Sequence, residues 1–541
     1  MSIPVRIARR LPLHDWLRWT VPVALFLFVS LTAAAQQVSL ESLLSVPFPT
    51  ELVAGNGRVA WVANAEGVRN VWVAEAPEYK ARQLTTYGGD DGIEIGELSF
   101  TPDGQSIVFT RGGDLDAHRE SPNPAHRPEV PEQAIWMASL SDGSVKRLAE
   151  GNTPEISPRG GRVAYIFKQQ LMAVSLDGGK PDTLVAVAAP RSEIRWSPDA
   201  TRIAFVSQRK EHSFIGLYDV AGKSLAYLDP SVDRDASPVW SPDSKRIAFV
   251  RVASRQQVGP FAQQRSGTPW SIRVADVSTG AGRELWRADN GDGSVFHAVV
   301  ADSQLVWATG DRIVFPWERD GWIHLYSISL TGGRPQLLTP GEFEVEHVST
   351  SSDGREVVYS SNQGDIDRRH TWRVPSDGSK APVAITSGRG NEWSPRFADA
   401  TTIAIIHSGA QAPPIVAMIA AGRAPRDLTA APPQFPLAQL VEPQQVIFSA
   451  ADGMKIHGQL FLPRGMRAGE KHAAAVFFHG GSRRQMLLGW HYGYYYRNAY
   501  AMNQFLASRG YVVLSVNYRS GIGYGMKFRE AENYGRGERA K

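Results

Sequence analysis

The chain has 541 residues, which is too long for one hydrophobic core, because single domains usually span about 50 to 200 residues; at least two domains are expected. Its composition, 43% hydrophobic and 21% charged with 50 glycines and 35 prolines, is typical of a folded protein rich in turns and β-structure. The absence of cysteine excludes disulfides, thiolate metal sites and a cysteine nucleophile.

Residues 1–35 are predicted to form a secretory signal peptide. Basic residues precede an apolar stretch from Val21 to about Leu31, and Ala33-Ala34-Ala35 supplies an A-x-A cleavage site. An uncleaved anchor is the alternative, but the apolar stretch is shorter than the roughly 20 residues that span a bilayer. We therefore expect a periplasmic or secreted bacterial protein that contacts the membrane only transiently, through its signal peptide.

The formal charge of +4 comes mostly from this leader, which contains Arg6, Arg9, Arg10 and Arg18 against Asp15. Once the leader is removed, the remaining chain is nearly neutral. Nothing in its charge balance indicates a nucleic acid or an anionic membrane surface as a partner.

A strand–turn–strand phrase recurs along the chain. In its most regular copy, Trp240 ends a strand, the turn Ser241-Pro242-Asp243-Ser244 follows, and the next strand begins at about Ile247. Proline presets φ in such a turn, and the Asp and Ser side chains bond to their own backbone. The copies span residues 98–112, 154–168, 194–208, 238–252 and 348–362.

Each phrase is followed by a second strand pair, as in residues 271–286 and 324–339, and four strands in roughly 40 to 55 residues form one propeller blade. Residues 36–435 are therefore predicted to be an all-β propeller of seven or eight blades, with eight favoured. We expect the ring to close by sharing strands between the chain ends. The predicted units begin near residues 57, 98, 154, 194, 238, 304, 348 and 392.

Residues 436–541 have a different pattern, and an Ala- and Pro-rich connection precedes them. Helix, glycine and apolar strand in succession indicate the βαβ rhythm of a parallel sheet. We interpret this region as the N-terminal part of an α/β-hydrolase domain. The predicted strands are 445–450, 455–463, 473–479 and 511–517, with a helix over 497–509.

Several of these segments resemble the prolyl oligopeptidase family of serine peptidases, within its dipeptidyl peptidase IV-like and acylaminoacyl-peptidase-like branch. The likeness is found in the hairpin phrases, in residues 317–348, in "VFFHGGS" (476–482) and in "FLASRGYVVLSVNYRSGIGYGMKFREAENYG" (505–535). It implies a propeller that caps a catalytic α/β-hydrolase domain and filters peptide substrates by size.

The resemblance also implies an oxyanion hole after the strand 473–479. Gly480 and Gly481 match the loop whose backbone N–H groups stabilise the oxyanion, and His479 would orient that loop. A simple strand-to-loop corner at His-Gly-Gly is the structural alternative.

No G-x-S-x-G turn occurs in the 541 residues, so the nucleophile elbow and with it the Ser-Asp-His triad are absent. We interpret the chain as C-terminally truncated relative to the family, and inactive alone. In the family topology, the strand 473–479 would then have one open, apolar edge. Since open edges recruit other chains, we expect poor solubility.

Further candidates have structural alternatives. Glu344 and Glu346 could hold a substrate's N-terminal amine, as propeller glutamates do in dipeptidyl peptidase relatives, but a solvated strand face is favoured. Trp490 and Tyr492 could line an aromatic subsite, but packing between the domains is favoured. Residues 365–367, "DID", lack calcium-loop spacing and are interpreted as a turn. No metal or cofactor is predicted.

The favoured function is therefore an exported serine peptidase acting on short peptides. The alternative is a non-catalytic periplasmic propeller that binds peptides or proteins at its central mouth. The sequence does not indicate the substrate preference, endo- or exopeptidase action, or the oligomeric state.

Overall fold

A computed structural model describes residues 38–113, 122–126, 128–186, 191–254, 264–481 and 483–531. The predicted signal peptide, residues 1–35, lies outside the described residues. Within the described ranges, no helix has both the length and the apolar character needed to cross a membrane.

Eight consecutive four-stranded antiparallel units make up most of the described chain, which confirms the propeller and its favoured blade count. Each blade consists of four strands that follow one another in sequence. The strands of blades 1 to 4 are β1 (Phe48–Gly55), β2 (Arg58–Ala65), β3 (Val68–Glu75), β4 (Arg82–Gln83); β5 (Ile95–Phe100), β6 (Ser106–Arg111), β7 (Ala134–Ser139), β8 (Val145–Glu150); β9 (Asn152–Ile156), β10 (Arg162–Phe167), β11 (Gln170–Ser175), β12 (Asp182–Val185); β13 (Arg191–Trp196), β14 (Arg202–Gln208), β15 (Ser213–Asp219) and β16 (Ser224–Leu228).

The strands of blades 5 to 8 are β17 (Arg234–Trp240), β18 (Arg246–Val252), β19 (Ser271–Asp276), β20 (Gly282–Arg287); β21 (Val306–Ala308), β22 (Arg312–Trp317), β23 (His324–Ser329), β24 (Gln336–Leu337); β25 (Val345–Thr350), β26 (Glu356–Ser361), β27 (His370–Pro375), β28 (Val383–Ala384); β29 (Asn391–Phe397), β30 (Thr402–Ser408), β31 (Ile415–Ala420) and β32 (Arg426–Asp427).

The recurring turn forms because its polar side chains satisfy the backbone locally. In blade 5, the Ser241 hydroxyl donates to Asp243 and accepts the Arg246 N–H at 2.9 Å, and the Ser241 N–H donates to the Arg246 carbonyl at 2.9 Å. Ser244 takes the left-handed conformation at φ 60°. Equivalent Ser–Asp pairs in blades 4 and 7 explain why the phrase repeats.

The ring closes differently from the prediction. Blades 1 and 8 each contain only consecutive strands, so the expected sharing of strands between the chain ends is wrong. Instead, the innermost strand of blade 8 packs beside the innermost strand of blade 1. At this contact, Arg396 Nε donates to the Leu52 carbonyl, and the Gly57 N–H donates to the Ala398 carbonyl. Backbone and guanidinium hydrogen bonds replace a shared sheet at this seam.

Glutamates connect successive innermost strands around the central tunnel. Glu51 accepts the Glu97 N–H at 3.0 Å, Glu97 accepts the Thr153 N–H at 2.8 Å, and Glu193 accepts the Ser237 N–H at 2.8 Å. All five residues lie at positive φ in or beside bulged strands, which turn the amides away from their own blade. The bulges therefore couple neighbouring blades.

Residues 444–531, called here the C-terminal unit, contain a mixed sheet in the order β33-β34-β36-β35. The β35/β36 pair is parallel and flanks the long helix, which confirms the predicted βαβ unit, and the other pairs are antiparallel. The elements are β33 (Gln444–Ser449), β34 (Lys455–Phe461), β35 (Ala474–Phe478), α2 (Tyr494–Ser508), β36 (Val512–Asn517) and α3 (Met526–Arg529), preceded by a 3-10 turn at Leu437–Gln439.

A short N-terminal helix, α1 (Leu40–Leu44), packs on the C-terminal unit. Leu43 is fully buried in a cluster that also contains Trp490, Tyr500 and Phe461. Arg497 of α2 donates to the Val46 carbonyl at 2.5 Å. The chain thus crosses from this cluster directly into blade 1.

Strand β35 is an edge strand among the described residues, pairing only with β36. Val476 is 55% exposed and Phe478 is 62% exposed.

We expect the protein to self-associate through this edge. The double change Val476→Thr/Phe478→Lys should raise the monomer fraction, because charge on an edge opposes strand addition. Sedimentation velocity over a concentration series measures this. Tyr495→Lys, at another exposed aromatic, is the control; a wild-type protein that stays monomeric throughout contradicts the expectation.

Candidate functional site

The loop after β35 presents two backbone donors. Gly481 lies at φ 64°, a conformation that favours glycine, and a Cβ there would meet no atom within 4 Å. The Gly480 carbonyl is held by the Tyr496 hydroxyl at 2.9 Å. Among the residues that the structure describes, no hydrogen bond is donated by the N–H of Gly480 or Gly481. The loop therefore has the open donors that an oxyanion hole needs.

His479 is packed in place as a neutral ring. It is 2% exposed, and it stacks on Tyr518 with 4.4 Å between ring centroids and 17° between planes. The Tyr518 hydroxyl also donates to the His479 carbonyl at 2.7 Å. Burial lowers the pKa of His479 to about 4. Stacking and the tyrosine bond therefore hold the strand end from which the loop departs.

The two propeller glutamates are not on a solvated strand face, so the favoured interpretation of them is wrong. Glu344 is 3% exposed and accepts the backbone N–H groups of Gly523 and Gly525 at 2.9 and 3.1 Å. Glu346 accepts from Arg369 at 2.6 Å. Glu344 thus binds the C-terminal unit, because the loop amides supply the donors that a buried carboxylate requires.

Arg369 joins the propeller to the His-Gly-Gly segment. Its guanidinium is fully buried and donates to Glu346 and to Gln485 Oε1, each at 2.6 Å. Burial raises the pKa of Glu346, but the charge and hydrogen bond of Arg369 together with the nearby histidines outweigh it, and the pKa lies below its ordinary value. Gln485 also donates to the Ile366 carbonyl at 2.8 Å. The segment that follows the loop is therefore fixed to blade 7.

The aromatic residues pack, in agreement with the favoured alternative. Trp490 is fully buried against Tyr500, with 5.1 Å between ring centroids, and against Phe435. Tyr492 lies against the propeller residues His347 and Trp393, at centroid distances of 5.7 and 6.1 Å. The Tyr492 ring thus joins the C-terminal unit to blades 7 and 8, whereas the Trp490 ring packs against Tyr500 and Phe435.

Asp367 is a buried carboxylate whose role was not predicted from the sequence. This propeller side chain is 2% exposed and accepts from His457 at 2.9 Å, from the Tyr524 hydroxyl at 2.5 Å and from Gln445. It lies in the turn between β26 and β27, as "DID" predicts, but every one of these partners belongs to the C-terminal unit. An acidic turn gives no sequence signal for partners so distant in the chain.

A second missed contact is a buried ion pair between the units. Arg529 of α3 donates from both guanidinium nitrogens to the Glu318 carboxylate, each at 2.7 Å, and both side chains are at most 5% exposed. Glu530 accepts from Arg483, which lies close to the His-Gly-Gly loop. Charged side chains therefore fix the end of the described chain to blade 6.

His491 is a buried histidine of the site whose hydrogen bonds favour the neutral ring. Its Nδ1 accepts the Gly493 N–H at 2.7 Å and its Nε2 lies 3.0 Å from the Gln485 carbonyl, so the ring is satisfied in its neutral form. Burial lowers the pKa to about 4. A depressed folded-state pKa gives stability that is present above the unfolded value of about 6.5 and lost as the pH falls toward 4.

We therefore expect the stability advantage of wild type over His491→Gln to shrink by about 3 kcal/mol between pH 7.5 and pH 4. Urea unfolding followed by tryptophan fluorescence at several pH values measures the difference. His126→Gln, at an exposed histidine, should give a curve parallel to wild type. A difference between wild type and His491→Gln that does not vary with pH contradicts the assignment.

The fold of the described chain is similar to that of solved peptidase structures. Porphyromonas gingivalis dipeptidyl peptidase 4 superposes with a TM-score of 0.65 at 14% identity, over 91% of this chain and 75% of that one. A Mycobacterium tuberculosis puromycin-hydrolyzing peptidase superposes with a TM-score of 0.60 at 17% identity, over 92% of this chain and 70% of that one. At these identities the likeness shows the fold alone.

Sequence comparison finds the same kind of protein over parts of the chain. Residues 256–414 match the dipeptidyl peptidase IV (DPP IV) N-terminal region. A probable dipeptidyl peptidase 4 of Aspergillus clavatus is 27% identical over 24% of this chain and 16% of its own length, and human dipeptidyl peptidase 8 is 30% identical over 19% and 11%. The matches thus span well under two thirds of these relatives. They confirm the resemblance of this chain to the prolyl oligopeptidase family.

Proposed function

We propose that this chain forms the propeller and the oxyanion loop of an exported serine peptidase that hydrolyses short peptides. The observation that carries the proposal is the pair of N–H groups at Gly480 and Gly481, which have no acceptor among the described residues, at the carboxyl end of a strand in a parallel pair. The match of the propeller to a dipeptidyl peptidase region supports a peptide as the substrate.

The loop would act on the oxygen of the scissile carbonyl. When a nucleophile attacks, that oxygen becomes an oxyanion, and each preorganised N–H donor stabilises the transition state by about 3 to 4 kcal/mol. The tyrosine bonds to the His479 and Gly480 carbonyls hold the donors in place before substrate arrives, so the loop does not reorganise during reaction. The proposal assigns His479 to positioning and not to proton transfer.

The C-terminal unit is proposed to be the first part of an α/β-hydrolase domain. In support, its sheet order places β35 at an edge, beside which a further parallel strand could bear the nucleophile. The 541 residues contain no G-x-S-x-G turn, and we propose that the triad is not among them. The chemistry would need Ser to attack, His to transfer the proton and Asp to orient the His.

We expect no turnover of aminoacyl-proline substrates by the 541-residue chain above a heat-killed control, since it lacks a nucleophile elbow. A fluorophosphonate probe, which labels activated serines, should likewise leave the chain unlabelled. Release of product at a rate above the control contradicts this expectation and places a nucleophile among these residues.

The peptidase assignment itself is tested by translating the DNA beyond codon 541 in all three frames. A hydrophobic strand followed by G-x-S-x-G, and then by Asp and His, supports it. In such an extended chain, Gly481→Val should lower kcat by about 10²-fold, because a β-branched residue strains the positive φ of the donor. Absence of the turn, with saturable peptide binding by the present chain, favours the alternative of a non-catalytic binding propeller.

Export through residues 1–35 is part of the proposal and is supported by the basic, apolar and Ala-rich order of that segment. N-terminal sequencing of protein recovered from the periplasm of a bacterial host should find Gln36 as the first residue. Recovery of the intact leader in the cytoplasm contradicts export.

A further inference from the structure

A loop of blade 6 enters the central tunnel of the propeller. The innermost strand of this blade, β21, has three residues, whereas those of the other blades have five to eight. Residues 299–303 precede it and leave the plane of the blade. Val300 bridges in parallel to His347 of blade 7, donating to the Glu346 carbonyl at 2.8 Å and accepting the Val348 N–H at 2.9 Å.

Asp302 contacts two blades on opposite sides of the ring. Arg195 of β13, in blade 4, donates to the Asp302 carbonyl. Arg396 of β29, in blade 8, donates to the Asp302 carboxylate at 3.0 Å. In a ring of eight blades, the fourth and the eighth face each other across the axis, so a residue that contacts both lies close to the axis.

A third blade lies beside the same loop. Glu155 of β9, in blade 3, has its pKa raised to about 7, chiefly by burial, with the Arg195 charge opposing the rise and the Asp302 charge adding to it. The loop thus contacts inner strands of blades 4, 7 and 8, its Asp302 charge also acts on Glu155 of blade 3, and it originates in blade 6.

The loop lies at the mouth of the tunnel that faces away from the C-terminal unit. Arg195 and Arg396 are each the last residue but one of their strands. The opposite ends of the inner strands face the C-terminal unit, since the ring of Phe48 lies 5.5 Å from that of Tyr494 and Glu344 binds the C-terminal unit through backbone amides.

The loop is braced internally. The Gln304 side chain accepts the Val299 N–H and donates to the Val299 carbonyl, each at 2.9 Å, which closes residues 299–304 into a ring of bonds. The Asp302 side chain is largely exposed, so its ion pair with Arg396 adds little energy. The backbone bonds to blade 7 and the Gln304 brace therefore hold most of the conformation.

We propose that residues 299–303 form a bar that closes the axial tunnel of the propeller to peptides. Propeller tunnels are otherwise continuous channels. With the bar in place, a peptide reaches the loop at Gly480 and Gly481 through the gap between the propeller and the C-terminal unit. The bar requires no catalysis, so it is testable on this chain whether or not the proposed peptidase function holds.

A single-cysteine reporter tests the bar, because the natural chain has no cysteine. Ser394→Cys places a thiol inside the tunnel, where the Ser394 hydroxyl lies 3.4 Å from His347 Nδ1. The rate at which this thiol reacts with a polyethylene-glycol maleimide is measured in two proteins. One has the native loop, and in the other residues 299–303 are replaced by Gly-Gly. We expect the shortened loop to raise the rate at least about tenfold. Equal rates in the two backgrounds overturn the proposal.

A matched surface thiol controls for changes in chemistry. Asp353→Cys, on an exposed turn of blade 7, should react at the same rate in both backgrounds. An unchanged thermal midpoint shows that the shortened loop leaves the propeller folded.

A second measurement leaves the loop intact and applies even when the shortened variant does not fold. Spin labels on Asp302→Cys are paired separately with Thr201→Cys and Thr401→Cys, at equivalent turn positions of blades 4 and 8. The proposal requires one narrow and similar distance for each pair. A broad distribution, or a loop near one blade and far from the other, overturns it.

Discussion

Replacing Arg529 with methionine is expected to lower the free energy of unfolding by about 3 to 5 kcal/mol, because it leaves the Glu318 carboxylate buried without its partner. Both guanidinium bonds are 2.7 Å long, and the Glu318 side chain is fully buried. Burial already raises the pKa of Glu318 above its ordinary value, with Arg529 opposing the rise. Urea unfolding monitored by tryptophan fluorescence measures the loss.

Two controls separate this pair from an ordinary surface contact. Arg162→Met breaks an exposed pair with Asp182 and should change stability by less than about 1 kcal/mol. The double variant Glu318→Gln/Arg529→Met should lose less than the sum of the single changes, since no unpaired charge remains. A loss below 1 kcal/mol for Arg529→Met would show that the pair does not join the two units.

Replacing Asp367 with alanine is expected to lower the free energy of unfolding by about 3 to 5 kcal/mol at pH 7. This is the typical effect of removing one partner from a buried charged network. The change leaves the buried Tyr524 hydroxyl, the partly buried His457 and the exposed Gln445 without their acceptor. Because all three belong to the C-terminal unit, we also expect that unit to loosen from blade 7. Limited proteolysis of the variant at neutral pH tests this second effect.

The Asp367 effect has a defined pH dependence. Burial raises the pKa of this carboxyl, but the hydrogen bonds from His457, Tyr524 and Gln445 and the charge of His457 together outweigh burial, and the pKa lies below its ordinary value. A depressed folded-state pKa gives stability that is present above the unfolded value of about 3.9 and lost as the pH falls through the folded value. The cost of Asp367→Ala should therefore shrink below pH 4. Asp377→Ala, at an exposed turn aspartate, should lower the free energy of unfolding only slightly, both at pH 7 and below pH 4.

The propeller was largely predictable because its turns are stabilised by local hydrogen bonds. The Ser–Pro–Asp turn at Ser241 satisfies its hydrogen bonds within six residues, so its recurrence in the sequence marks each hairpin. Ring closure was predicted wrongly because it depends on long-range contacts such as that between Arg396 and Leu52. Neither residue carries a local signal for a partner more than 300 positions away.

The site was predictable only in part, for a similar reason. His479, Gly480 and Gly481 form a contiguous motif at the end of the strand before it, so it could be found in the sequence, and its role as an oxyanion loop stays a prediction. The roles of Glu344 and Asp367 were missed because each carboxylate binds residues of another unit. Alternation of residue types along a strand indicates which face of the sheet a side chain lies on, and not which residues it contacts there.

The sequence by itself determined the blades, the βαβ rhythm and the His-Gly-Gly loop, because turns, alternation and glycine conformation depend on neighbours in the chain. The tertiary structure alone established which carboxylates join the units and that Asp302 lies near the axis, between blades 4 and 8. Those positions follow from burial and charge pairing between residues far apart in sequence, where each partner is satisfied only once the ring has closed.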